Sequence, residues 1–399
     1  LDEALADIRM RVRPLPPERV ALVNALGRVL REPVGAPEDL PPFDRAAVDG
    51  YAILRDDTAS GFRVVDHLRA GDWRPRLLQP GEAVRIATGA ALPGPGLRVV
   101  MQEETQFEGE AVRLLRRGSE VLNIRFRGED RRAGELLAPA GRRLNAGTLA
   151  LLAGIGHVQP LVSPRLRVLH LTTGDEVIPP HQPPKPGQIR DCNSILVRSL
   201  LSGWPCAVEQ QHLPEDLEAA WHRLDPGRVA EADVLLVSGG ASVGAHDFTR
   251  VLLERLGFEI VFDRIRIRPG RPTIFGVTGR RVAFGLPGNP LAHYVVFHLG
   301  VATALACLLG STETPPSQRG RLAADLRSDA CPRETLWPAR LEWPGAAPRL
   351  RPLVWRSSGD LTCLGEVSAL IRVPPQTNEL AAETEVEFFT CFPLTSSMS

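Results

Sequence analysis

Asp233-Val234-Leu235-Leu236-Val237-Ser238-Gly239-Gly240-Ala241-Ser242-Val243-Gly244-Ala245-His246-Asp247 is the stretch whose reading decides the fold. It opens as an apolar run, breaks into glycines and small hydroxyl residues, and ends on a carboxylate. An uninterrupted apolar run of this length fits a strand buried on both faces, as in a parallel sheet. Gly239, Gly240 and Gly244 let the backbone approach a ligand and point N–H groups at it, which suits an anion. On the loop alone, a tight strand-to-helix turn without a ligand accounts for the same residues.

The surroundings repeat the alternation. Strands are expected at Arg167–Leu171, Ala207–Gln211, Val234–Val237, Phe258–Phe262 and Val282–Phe284. Helical stretches fall between and after them, at Ser194–Leu201, Pro214–Leu224, Phe248–Leu256 and Leu291–Leu309. That order implies a mostly parallel sheet wrapped by helices, here assigned to residues 164–311. Ligands of such sheets bind beyond the carboxyl ends of the strands. Two acid-bearing loops follow strands in that way. One is Thr172-Thr173-Gly174-Asp175-Glu176, and the other ends at Asp247. The loop Gly285-Leu286-Pro287-Gly288-Asn289-Pro290 precedes a long apolar segment. It reads equally as an anion cradle or as a helix-entry turn. The apolar segment carries His293 and His298 without a flanking arginine cluster, so a buried helix is expected rather than a membrane span.

Arg264, Ile265, Arg266, Ile267 and Arg268 alternate strictly. As a strand they put three guanidinium groups on one face, and Arg271 adds a fourth cation at the Pro269-Gly270 turn. Guanidinium forks suit phosphate and other oxyanions. A solvated edge strand is the competing reading.

Outside this domain the texture changes. Leu1, Leu5, Ile8 and Val12 repeat at helical spacing up to Pro14, and a second helix is expected from about Glu18 to Leu30. Residues 36–134 hold short β-branched runs separated by Gly/Pro turns. Three loops there place carboxylates or hydroxyls beside glycine: Pro41–Tyr51 with Asp44 and Asp49, Ile86–Ala90 with Thr88, and Arg125–Asp130. Each alone is ordinary turn chemistry, whereas three in one small domain point to a shared site. Residues 135–163 resume helical character and are expected to return to 1–35, making the β-rich part an insertion. After Thr314-Pro315-Pro316, residues 317–393 lack helical periodicity and suggest a small antiparallel barrel or sandwich. The fold class is therefore multi-domain α/β plus β, with an N-terminal helical domain, a β-rich inserted domain, a central α/β domain and a C-terminal β domain.

Composition narrows the function. The 399 residues carry no net charge, so no basic field suggests nucleic acid. Lys185 is the sole lysine, so an arginine here says less than usual. Six cysteines without a CxxC pair argue against zinc and a disulfide framework, which favours a reducing, cytoplasmic setting. The first residues carry acids and no apolar core, so no signal peptide is expected. Asp49, Asp130, Asp175, Glu176 and Asp247 are hard oxygen donors near cationic and N–H-rich elements, a set that suits Mg²⁺ bridging phosphates. There is no HExxH, Walker loop, GxSxG or suitably placed GxGxxG. Physical reasoning ends at an α/β enzyme that binds a phosphorylated or oxyanionic ligand with Mg²⁺.

Six motifs in order carry a resemblance. They are Pro42-Phe43-Asp44 with Asp49-Gly50-Tyr51-Ala52, Arg85–Ala90, Arg127–Asp130, Thr173–Glu176, Ser238–Gly244 and Leu286–Pro290. Together they resemble the molybdopterin molybdenumtransferases, the molybdenum insertases akin to the E domain of gephyrin. The resemblance covers essentially the whole chain. It implies an elongated homodimer that takes adenylated molybdopterin and molybdate and releases AMP with Mg²⁺ assistance. The site would lie between the α/β domain of one subunit and the inserted domain of the other, with 1–35 and 135–163 serving dimerisation. By motif position, Asp49, Thr88, Asp130, Glu176 and Asp247 would form the catalytic group, with Asp49, Glu176 and Asp247 as metal ligands. Thr173, Gly174, Asp175, Ser238, Gly239, Gly240, Ser242, Gly244, Pro287, Gly288 and Pro290 would line the substrate. Arg264, Arg268 and Arg271 fall where the family has lysines. The chain departs from the family at Arg45-Ala46-Ala47-Val48, where Asn-Ser-Ala-Met is usual. That change motivates a catalytically silent carrier as an alternative, and the α/β domain alone also resembles molybdopterin adenylyltransferases. Such an adenylyltransferase, and cofactor-delivery proteins or molybdoenzymes, are the expected partners.

Overall fold

The computed structural model describes residues 1–116, 121–239, 243–313, 317–345 and 347–391, with backbone only for 243–247. Gly240, Ser242, the Asp247 side chain and the Thr314-Pro315-Pro316 linker lie outside the described residues. The chain divides into two compact units, Leu1–Glu32 with Ala140–Ser399, and Pro33–Pro139.

The larger unit is built on six strands: β1 (Leu166–Thr173), β2 (Cys206–Leu213), β3 (Val234–Ser238), β4 (Glu259–Phe262), β5 (Ile274–Thr278) and β6 (Arg281–Leu286). Their order is β2-β1-β3-β6-β5-β4. The first four in that order run parallel, β5 is antiparallel to β6, and β4, antiparallel to β5, returns to the direction of the first four. Every residue of β3 is buried, because β3 is flanked by β1 and β6 and covered on both faces. Alternate residues serve two cores. Val234 and Leu236 face one with Phe284, Leu5, Ile8 and the helix after Pro290, while Leu235 and Val237 face another with Leu252, Leu253 and Ala220. Each fully buried leucine contributes about 2 kcal/mol by removal from water. Ile274–Thr278 is a strand beyond those expected from the sequence. It forms a hairpin with β6 through Gly279 at φ +60°, a tight connection that a periodicity scan passes over.

The segment Pro290–Leu309 is one helix with a π turn at Phe297–Val301. By length and composition it could cross a membrane, yet 94% of its apolar window is buried inside the unit. The expected helix over Glu18–Leu30 is absent. Glu18–Arg19 pairs with Leu161–Val162, Leu22–Asn24 makes one 3-10 turn, and Val23 is 87% exposed. The apolar positions there do not form a helical stripe, since Gly27, at φ +75°, occupies the place between Val23 and Leu30. The first helix, Asp2–Arg11, buries Leu5 and Ile8 in the α/β core. Residues after Ala140 return to the 15–32 segment through short pairings and through the helix Ala146–Gly154, capped by Asn145.

In the C-terminal part, Glu334–Glu342, Arg349–Pro352, Gln318–Leu322, Glu385–Thr390 and Ala369–Val373 follow one another around a sheet. Pairing of the last with Glu334–Glu342 closes it into a barrel. Only Ile267–Arg268 of the arginine ladder is a strand, and it joins this barrel at Glu334-Thr335 instead of the α/β sheet. The isoleucines still turn inward, with Ile265 and Ile267 buried.

The unit Pro33–Pro139 contains a six-stranded sheet ordered Leu97–Met101, Gly50–Leu54, Glu82–Ile86, Gly61–Leu68, Ala111–Leu114 and Thr105–Glu108. Its two faces bury separate clusters, Ala52 and Val84 on one and Tyr51 and Ala83 on the other. The run Val121–Ile124 yields only the short strand Ile124–Arg125, which pairs with Arg45–Ala46.

Candidate active site

Within Pro33–Pro139 the three loops marked by sequence meet. Asp49 ends the loop before Gly50–Leu54, and its Oδ1 accepts from the Thr88 N–H at 2.6 Å and the Thr88 hydroxyl at 2.7 Å. Those two bonds, then the Arg85 charge, hold the Asp49 carboxyl below the usual carboxylate range. Oδ2 accepts no hydrogen bond from a described residue. Gly50 lets the strand start here, because a Cβ at that position would lie 1.9 Å from the Val100 carbonyl oxygen. The loop with Thr88 is tied to the first loop by Gly89 N–H to Ala46 O and Ala46 N–H to Ala90 O. The third loop is tied by Ala47 N–H to Asn123 O, Arg127 N–H to Asp44 at 2.8 Å and Gly128 N–H to Pro41 O. Asp130 is exposed and accepts from Arg125 at 2.6 Å. The Phe126 N–H, Arg125 and Arg45 lower the Glu129 carboxyl. Arg45 therefore brings a positive charge close to this loop cluster.

In the larger unit the carboxyl ends of β1, β3 and β6 carry the other candidates. Thr173 and Ser238 end their strands buried, and the Thr173 hydroxyl lies 3.5 Å from Ser238 O. Gly174 sits at φ +130°, and a Cβ there would crowd Glu176 Oε2 at 2.8 Å. Asp175 is exposed and Glu176 half-buried. Burial, and then the charges of Glu176 and Asp175, raise the nearby Glu215 carboxyl. The Pro287–Pro290 loop is pinned: Gly288 O accepts from Asn193 Nδ2 at 2.7 Å, and Asn289 Nδ2 donates to Ser358 Oγ at 2.7 Å. Gly239 follows Ser238 as described backbone, and Gly244 lies in the first turn of the helix Val243–Arg255.

The arginines separate. Arg264 and Arg271 are exposed, and Arg264 lies 3.7 Å from Asp263. Arg268 is engaged, paired with Asp329 and stacked 5.2 Å over the Trp355 ring. Asp329 raises the Arg268 pKa. Among the described residues no group of three or more His, Cys, Asp or Glu could hold a metal ion. Asp49 and Glu176 belong to different units, and the Asp247 side chain is not described. All six cysteines are free.

One buried network escaped the sequence reading. His170, in the middle of β1, is fully buried, with Nε2 2.7 Å from Ser238 Oγ and Nδ1 3.0 Å from Gln210 Nε2. His293 Nδ1 lies 3.3 Å from Pro287 O. Burial lowers His170 to about 3 and His293 to about 4, so both are neutral near neutral pH. The available signal is a lone histidine inside the apolar run Val168-Leu169-His170-Leu171. A polar group there has to find a partner.

Comparison with known proteins identifies the family. Residues 1–156 match the MoeA N-terminal region, domains I and II, and residues 170–306 match the probable molybdopterin binding domain. A molybdopterin molybdenumtransferase of Bacillus subtilis is 35% identical over 334 residues, 79% of this chain and 76% of that protein. One from Nostoc sp. is 33% identical over 370 residues, 90% and 85% of the two chains. The crystal structure of a molybdopterin biosynthesis MoeA protein from Pyrococcus horikosii superposes with a TM-score of 0.79 at 30% identity, covering 98% of each chain. The chain belongs to the molybdopterin molybdenumtransferases, transferases of molybdenum cofactor biosynthesis.

Proposed function

We propose that this chain inserts molybdenum from molybdate into adenylated molybdopterin and releases AMP, at sites shared between the two subunits of a cytoplasmic homodimer. The observation that carries the reading is the Asp49–Thr88 pair. It presents an ionised carboxylate with one oxygen fixed by two donors and the other unengaged by any described residue. Such a hard oxygen donor fits Mg²⁺, which Asp49, Glu176 and Asp247 would hold. When bound, Mg²⁺ supplies compensation for negative charge during cleavage of the phosphoanhydride. Thr88 orients Asp49, and Asp130 lies on a loop of the same cluster. In the α/β part, Thr173, Gly174, Asp175 and Ser238 with the glycines that follow hold the pterin end. Pro287, Gly288 and Pro290 give that pocket a fixed wall. Arg264 and Arg271 offer exposed cations to the phosphates, and Arg268, paired with Asp329, belongs to the same arginine-rich stretch. Positioning molybdate near the dithiolene sulfurs is the protein's main contribution. The residues 1–35 and 135–163 supply the dimer contacts. A molybdopterin adenylyltransferase supplies the substrate, and molybdoenzymes or delivery proteins receive the product.

The test is an incubation with adenylated molybdopterin, molybdate and Mg²⁺. It is read by AMP release and by reconstitution of a molybdenum-free apoenzyme. Multiple-turnover AMP release is expected, and Asp49→Asn is expected to lower it about 100-fold without unfolding the chain. Well-folded protein that releases no AMP refutes the reading. Tight pterin binding without turnover would establish a carrier, and ATP consumption without molybdate would establish an adenylyltransferase.

A further inference from the structure

The network below Ser238 has a defined direction. Arg198 can only donate, and its Nε and Nη2 lie 3.1 and 3.0 Å from Gln210 Oε1. That fixes the Gln210 amide, so its NH₂ faces inward. There it donates to Ser194 O at 2.8 Å and to His170 Nδ1 at 3.0 Å. An amide NH₂ cannot accept, so His170 Nδ1 is the acceptor and the ring proton sits on Nε2. Nε2–H then donates to Ser238 Oγ at 2.7 Å. The burial that keeps His170 neutral preserves this single tautomer. Having accepted from His170, the Ser238 hydroxyl keeps one proton to give, and no described residue accepts it. Ser238 is the last residue of β3, directly before the glycines at the carboxyl edge of the sheet.

We propose that His170 is a positioning residue: with Arg198 and Gln210 it locks the Ser238 hydroxyl as a hydrogen-bond donor to an anionic oxygen of the substrate. The role rests on the molybdopterin reading of this site. It also explains why a histidine occupies the interior of an otherwise apolar strand. An ordinary serine hydroxyl rotates between donor and acceptor roles, and the relay removes the wrong one before binding.

The experiment combines two readouts on the full-length chain. The chain has nine histidines, and ¹⁵N-histidine labelling resolves the tautomer of each. The His170 signal is identified by its loss in His170→Gln. The second readout is the Kd of adenylated molybdopterin from pterin fluorescence. Wild type is expected to carry the His170 proton on Nε2 from pH 6 to 8. Gln210→Glu places an obligate acceptor at Nδ1, so the ring proton is expected to move there and turn Ser238 inward. Kd is then expected to rise about tenfold, the loss of one hydrogen bond to a charged group. His170→Gln, which keeps a donor and an acceptor, is expected to stay within about threefold. Ser238→Ala is expected to match the Gln210→Glu loss, and the double variant to add nothing further. A wild-type proton on Nδ1 overturns the proposal. So does a switched tautomer with unchanged Kd, or additive losses in the double variant. AMP release intact with no such pattern refutes the relay alone. The full pattern in Kd with no AMP release refutes the transferase reaction and keeps the relay.

Discussion

Gly50→Ala is the sharpest test of how the fold sets Asp49. The strand Gly50–Leu54 is hydrogen-bonded on both sides, with Gly50 opposite Ile86 on one and Met101 on the other. A methyl on Gly50 would sit 1.9 Å from Val100 O, 2.9 Å from Val100 C and 3.2 Å from Met101 Cα. These are backbone atoms of the paired strand, so no side chain can move aside. Restoring ordinary contact requires a separation of roughly 1.4 Å, enough to break the adjacent ladder bonds. Overpacking at about 2 kcal/mol and one or two lost hydrogen bonds at about 1 kcal/mol each give a cost near ~3 kcal/mol. For a unit of this size that corresponds to a fall in melting temperature on the order of 15 °C. Gly89→Ala is the matched control. Gly89 has φ +81° and open space around a Cβ, so only the left-handed penalty of about 1 kcal/mol applies. Calorimetry gives the melting temperatures, and amide exchange over 97–101 reports whether the paired strand has opened. If Gly50→Ala melts within ~2 °C of wild type, or no lower than Gly89→Ala, the steric reasoning is wrong.

Two further outcomes follow from charge and burial. His170 is lowered to about 3, and His293 and His298 to about 4, in each case first by burial. An unfolded chain binds these protons near pH 6.5 and the folded chain does not. Stability is therefore held above that pH and lost as pH falls, by up to ~1.4 kcal/mol per unit for each ring. Urea midpoints measured from pH 7 to 5 are expected to decline. A flat profile would contradict the burial of these rings, and His170→Gln is expected to reduce the slope. The arginines are expected to divide by role. Arg264→Ala and Arg271→Ala weaken binding of adenylated molybdopterin severalfold and flatten its salt dependence. Arg268→Ala also lowers the melting temperature, because it releases Asp329 and uncovers Trp355. Equal melting temperatures for all three would refute that division.

The alternation of strand and helix from Leu166 to Leu309 was legible because each element carries its own signal. An apolar run such as Val234–Val237 can be satisfied only with both faces covered, and the spacing of Leu1, Leu5, Ile8 and Val12 only by a helix. The chemistry of the loops was legible for the same local reason: glycine, Asp and Thr are written together at strand ends. What failed were elements whose cause is not local. Glu18–Leu30 has helix-compatible residues, yet its backbone is claimed by Leu161–Val162 and its neighbours. Ile274–Thr278 is a strand because Arg281–Leu286 lies beside it.

In Asp233–Asp247 the residues by themselves determined a strand buried on both faces, Val234–Ser238, that ends at a glycine. Tertiary structure decided that Asp49 and Thr88, 39 positions apart, share two hydrogen bonds. It likewise decided that Arg268 spends its charge on Asp329, and that a histidine 68 positions before Ser238 sets the hydroxyl's direction. Periodicity reports which face of an element is buried, because burial is a property of each residue in turn. A hydrogen bond depends on where two distant backbones are brought together, and only the folded chain specifies that distance.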